Sequence, residues 1–195
     1  QTRPDLLLHL GGQVNLVNRL DKLLDNSDFV HKANKLNSEQ LSIALDMEFC
    51  DEVRCTFNRQ HISDVMRSVQ NLMIWNCCDS LDEYDMSEFN KKIDVKVDLC
   101  TVAKNVFRKY QRALWDTEFS NTHDQFYCQH WGRYGLFILD MKRKSELGET
   151  RTLCREQIIK IKSFTENPKL EVLMFASSSP LLSDLPDNCF AQAEQ

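Results

Sequence analysis

Apolar residues recur at steps of three and four along most of the chain, the spacing that lays one stripe down an α-helix. Val14, Val17, Leu20 and Leu24 form such a stripe over 13–25, and the polar cluster Asp25-Asn26-Ser27-Asp28 ends it. Gly11-Gly12 separates this helix from Leu6-Leu7-Leu8-His9-Leu10, so residues 1–12 read as a kinked extension or a flexible arm. Asn37 with Gln40 three residues on has the form of a capping box, opening a helix through Leu41, Leu45 and Phe49 that stops at a Cys50–Cys55 loop. A wide apolar face of Ile62, Val65, Met66, Val69, Leu72 and Met73 predicts a further helix over 58–77.

The second half is read the same way. Phe89, Ile93, Val97, Cys100, Ala103, Phe107, Tyr110 and Leu114 predict one long helix between Ser87 and Leu114. A competing pattern lies inside it, because Ile93, Val95, Val97 and Leu99 alternate with Asp94, Lys96 and Asp98, which would make 92–99 a strand. The stripe continues on both sides, which decides for helix. Thr122 with Gln125 resembles another capping box, starting a helix with Phe126, His130, Tyr134, Phe137 and Met141 inward and closing in Lys142-Arg143-Lys144 before Gly148. Gly132 and Gly135 inside it mark a kink or a close neighbour. Leu153, Ile158, Ile161 and Phe164 predict a helix over 150–165. Asn167-Pro168 then opens a last one through Leu170, Leu173, Met174 and Phe175, with an irregular tail over 177–195.

These elements predict an all-α fold: a single-domain bundle of five to seven helices spanning residues 1–195. A chain of 195 residues buries roughly 70% of its unfolded surface on scaling grounds, so neither metals nor disulfides are required for a core. Only 5 Gly and 4 Pro argue further against a turn-rich β architecture. No run approaches the ~18 apolar residues of a membrane-spanning helix.

Charge narrows the partners. With 24 Lys+Arg against 29 Asp+Glu the formal net charge is -5, which repels phosphate backbones, and no nucleic-acid partner is expected.

Cysteine is the most informative count. Cys50, Cys55, Cys77, Cys78, Cys100, Cys128, Cys154 and Cys189 are an even set, spaced about one per helix and connection. That usage points to helix-stapling disulfides and an extracellular, secreted protein. Adjacent Cys77 and Cys78 would bond to different partners, since their Cα atoms sit about 3.8 Å apart, below the preferred range for a bridge. Against secretion, no Asn has Ser or Thr two positions on, so there is no glycosylation acceptor.

Chemistry-bearing groups are sparse. His123, Asp124, Cys128 and His130 are close in sequence, but on a helix they would not share a face, and no zinc or calcium ligand spacing is complete. Cys128 with His61 or His130 lacks anything to activate a thiolate. No catalytic residue, metal or cofactor is therefore assigned. Lys104, Arg108 and Arg112 form an i, i+4 ladder fit for an acidic partner, and Trp115 or Trp131, if exposed, would mark an interface.

The function expected is a secreted non-enzymatic interaction protein, a ligand or receptor-binding module presenting a rigid helical face to a protein partner. One alternative is an extracellular carrier of small apolar ligands, with Met66, Met73, Met141, Phe107, Phe126 and Phe137 lining a cavity between helices. The other is an intracellular helical adaptor with free thiols.

Overall fold

Strand β1, Leu6–His9, lies parallel to β2, Gln70–Met73, in the register Leu6 to Gln70 through His9 to Met73. Between them run α1 (Leu16–Asp25), α2 (Ser27–Ala33), α3 (Ser38–Phe57) and α4 (Gln60–Ser68). After β2 come α5 (Cys77–Ser80), α6 (Glu83–Lys92), α7 (Leu99–Tyr110) and a short 3-10 turn at Arg112–Leu114. A three-stranded sheet follows, in the order β3 (Tyr127–Trp131), β4 (Tyr134–Ile138) and β5 (Val172–Ala176), with α8 (Arg155–Thr165) crossing between β4 and β5. This is a computed structural model, and it describes residues 4–81, 83–114, 125–141 and 153–179.

The expected all-α fold is thus corrected to helices with two sheets, and each departure has a local cause. At the end of α4 the Asn71 amide donates to the carbonyls of Met66 at 2.9 Å and Val69 at 2.8 Å. Its oxygen accepts from His9 Nε2 at 2.9 Å. Asn71 therefore ends the helix by taking its free carbonyls and pins the following strand to β1. The stripe through Leu72 and Met73 is buried in a strand, and the stretch read as an arm supplies that strand's neighbour.

The long helix is interrupted at residues 93–98, which form neither helix nor strand. Asn34, at the end of α2, donates to Lys92 O at 3.1 Å and accepts from Asp94 N at 2.9 Å, while Ser38 Oγ donates to Lys96 O at 2.7 Å. Asp98 then caps α7, accepting from Thr101 N at 3.1 Å. Side chains distant in sequence satisfy the backbone that a continuous helix would have satisfied itself.

The stretch predicted to hold Phe126 to Met141 on one helix is instead the β3–β4 hairpin. Gly132, with φ +58°, sits at the first central position of its two-residue turn, where only glycine is unstrained. Tyr134 to Leu139 is an unbroken apolar run, which suits a strand covered on both faces. Leu136 and Ile138 pack towards Trp75 and Phe107, and Phe137 and Leu139 towards Phe164 of α8. The expected last helix is strand β5: all five of its residues are apolar, so helical spacing within it carries no information.

A separate helical core joins α1, α3, α6 and α7 through Leu20, Leu45, Phe49, Phe89 and Val106. Two aromatic-rich clusters lie on opposite faces of β4. One links the two sheets, and a buried network centred on Asp140 reinforces it. Trp75 Nε1 donates to Asp140 Oδ1 at 2.8 Å, and Gln125 N donates to Oδ2 at 3.2 Å. Gln157 of α8 closes the same loop, accepting from Asp140 N at 2.7 Å and donating to its carbonyl at 3.1 Å.

The disulfide expectation is also overturned. Cys50, Cys55, Cys78, Cys100, Cys128 and Cys154 form no disulfide. Cys50 donates to Asp46 within α3 at 3.6 Å, and Cys154 caps α8, accepting from Gln157 N at 3.3 Å. Cys189 lies outside the described residues, as does the Cys77 side chain. The expectation of secretion, which rested on paired cysteines, loses that support.

Candidate interaction site

The three-stranded sheet arranges its side chains in rows. Residues directly opposite across strands share a face, and successive rows alternate between faces. One face carries Tyr127, Ile138 and Ala176, then Gln129, Leu136 and Met174, then Trp131, Tyr134 and Val172. The first row is buried against Trp75 and Phe107. Exposure rises towards the hairpin, and in the last row Trp131 is 38% exposed, Tyr134 43% and Val172 40%, with Met174 beside them at 41%. Four apolar side chains from three strands thus form one patch.

The patch has a charged rim and a rigid frame. Arg133 at the hairpin tip pairs with Glu171 at 2.8 Å, and its guanidinium lies 5.5 Å from the Tyr134 ring centroid. Its carbonyl accepts from Glu171 N at 2.8 Å and Val172 N at 3.2 Å, locking the start of β5 to the turn. On the opposite face Gly135 lets α8 approach: a Cβ there would lie 2.7 Å from Phe164 and 2.8 Å from Leu170. Phe137, Phe164 and Phe175 stack edge and face behind it, with centroids 5.4–6.0 Å apart.

The residues singled out from sequence fall in different places. Trp131 lies in the exposed row. Arg112 reaches the buried row at the other end of the same face, 4.7 Å from the Tyr127 ring centroid, and donates to Gln125 O at 2.6 Å. About 13 Å of strand separates Tyr127 from Trp131. Lys104 stands 5.6 Å from the Trp75 ring centroid, and Arg108 is half-buried on α7. Trp115, His123 and Asp124 lie outside the described residues. Cys128 and His130, two apart on β3, share the α8 face, and no group of three metal-ligating side chains occurs among the described residues.

Tyr134, Val172 and Met174 were not anticipated, although a strand reading of the apolar run after Gly132 places Tyr134 opposite Trp131.

A second polar locus lies beyond the C-terminal ends of parallel β1 and β2, where open α/β sheets hold ligands. Asp79 Oδ2 accepts from Gly12 N at 2.8 Å and Asn76 N at 3.1 Å, and Oδ1 accepts from Val14 N at 3.0 Å. The chain's own carboxylate fills the cradle that those amides would offer to an anion. Burial holds its pKa above the ordinary carboxylate value, against the pull of those three bonds. Elsewhere, burial and neighbouring Asp46 raise the pKa of Cys50, which suits a structural thiol rather than a nucleophile.

No family model matches this chain, and none of the curated proteins or solved structures compared with it is similar to it. No helix among the described residues is long and apolar enough to cross a membrane.

Proposed function

We propose that this is a non-enzymatic interaction protein that engages a protein partner through the sheet face bearing Trp131, Tyr134, Val172 and Met174. The observation that carries the reading is the hairpin-end row, in which three cross-strand neighbours are all large, apolar and exposed. Trp, Tyr, Met and Arg are the residues enriched at interface centres, and a rigid aromatic row supplies contact area at low entropic cost. The self-occupied Asp79 cradle accords with a binding rather than a catalytic role. The reading specifies a sheet face in place of the helical face expected from sequence, and it does not depend on compartment.

The carrier alternative gains less from the structure. Phe107, Phe126, Phe137 and Met141 pack into two cores on either side of β4 instead of lining one cavity. A groove of about 810 Å³ does lie between α1, α2 and α3, but Lys22, Lys32 and Lys35 are among the residues lining it.

A photo-crosslinking residue at Tyr134, compared with one at exposed Ile43 on α3, tests the proposal in an extract of the source cells. A discrete adduct from position 134, abolished by Trp131→Ala, is the expected result. The identified partner, purified, is then expected to bind the Trp131→Ala protein with a loss of ~2–4 kcal/mol. Equal labelling from both positions, or no adduct from Tyr134, overturns it.

A further inference from the structure

The outer edge of β5 offers backbone groups that the aromatic row does not use. Val172 N donates to Arg133 O, and Ala176 O accepts from Leu139 N at 2.8 Å, so alternate residues of β5 direct their backbone groups towards β4. In a parallel ladder the residues between them direct both groups the other way. Leu173 and Phe175 therefore present their N–H and C=O groups at the outer edge, and no strand among the described residues pairs with it.

The side chains specify the kind of occupant. Val172, Leu173, Met174 and Phe175 are all exposed, and they alternate between the two faces. A helix docking on one face would cover two of them, whereas a strand laid along the edge adjoins all four. Natural edges are guarded by lysine, proline, inward charges or bulges, and residues 172–176 carry none of these.

We infer that β5 pairs antiparallel with β5 of a second copy of this chain, about a two-fold axis at Met174. That register sets Leu173 opposite Phe175 of the partner and Phe175 opposite its Leu173, so every edge-facing backbone group of both residues gains a partner. Moving the axis to Leu173 or to Phe175 leaves one of these residues without its match. Val172 then faces Ala176 and Glu171 faces Ser177, so no like charges meet. The product is a continuous six-stranded sheet, closed by symmetry. The pairing uses the backbone edge and shares with the Trp131–Tyr134 face only the side chains of Val172 and Met174, so Leu173→Pro, which touches neither, separates the two readings.

Sedimentation of the full chain from micromolar to millimolar concentration, combined with amide hydrogen exchange, tests it. The expected result is a monomer–dimer equilibrium in which the Leu173 and Phe175 amides gain protection with concentration, while the Met174 amide is protected throughout. Leu173→Pro removes only an edge-facing N–H, and Met174→Lys places a guard charge at the axis; each is expected to weaken dimerisation at least ~10-fold. Trp131→Ala is expected to leave it unchanged. If both edge variants fail to fold, the exchange pattern of the unmodified chain decides. A monomer at every concentration overturns the pairing, as do Leu173 and Phe175 amides already protected at the lowest concentration. So does a dimer that persists in folded edge variants, or protection that appears only when a different protein is added.

Discussion

The indole N–H of Trp75 donates to Asp140 Oδ1 at 2.8 Å, joining the segment that follows β2 to the residue pair that follows β4. Both residues are buried, and the same carboxylate also accepts from Gln125 N. Replacing Asp140 with Leu strands two buried donors. The expected loss is ~2–5 kcal/mol in denaturant unfolding, with a smaller loss for Asp140→Asn, which keeps one acceptor. Trp75 fluorescence provides a local readout.

Asp79 makes a pH prediction. Its folded pKa is raised by burial above the ordinary value of 3.8, so the folded protein takes up this proton at a higher pH than the unfolded chain. Stability from this group therefore rises as pH falls through the folded pKa and levels off below 3.8. Asp79→Asn does not titrate and turns an N–H donor towards backbone N–H groups. The variant is expected to be less stable at neutral pH by ~1–3 kcal/mol, and its deficit relative to the parent should widen between neutral pH and pH ~4. A deficit that narrows on acidification would contradict the assignment.

Gly135 and Gly132 separate two kinds of glycine requirement. A methyl group at 135 meets the buried Phe164 ring at 2.7 Å, so Gly135→Ala is expected to cost ~1–3 kcal/mol through forced repacking of α8. Gly132 faces open space but has φ +58°, so Gly132→Ala is expected to cost ~1–2 kcal/mol through the backbone alone. Gly132→Asn should recover part of that loss. Thermal melts of the three variants distinguish the mechanisms.

Thiol labelling follows burial. Cys55 is exposed, whereas Cys50 is buried and its pKa is raised. Alkylation of the native protein should modify Cys55 first and Cys50 last, and denaturation without reductant should make at least the six thiols outside any disulfide reactive. Fewer than six would restore a disulfide.

Sequence periodicity located the helices whose stripes face a helical core. The stripe through Leu20 and Leu24, the Asn37–Gln40 capping box and the spacing of Leu41, Leu45 and Phe49 appear in α1 and α3, although α1 begins only at Leu16 and α3 runs through the expected Cys50–Cys55 loop to Phe57. It failed where strands are apolar at every position. Tyr134 to Leu139 and Val172 to Ala176 are uniformly apolar, and a uniform run satisfies a helical period as easily as a strand one. It also failed where distant side chains decide local structure, as Asn34 and Ser38 do at residues 92–96. Trp131 was singled out from its type alone, and the structure leaves it partly exposed. Its neighbours in the row depend on cross-strand register, which only the hairpin at Gly132 sets. The cysteine count misled because thiols also serve as small packing and capping groups, as Cys128 does beside Phe137 and Phe164 and Cys154 at the start of α8.

The parallel pairing of β1 with β2 has a kinetic consequence. All of α1 to α4 lies between these two strands, so β1 emerges first during synthesis yet has no neighbour until β2 follows. The contacts within α1–α3 are local and form early, while the strand pair is the kind of non-local contact that slows folding. Its ladder should therefore be a late event, and the amides of Leu6 to His9 should be among the last in this half of the chain to gain protection during refolding.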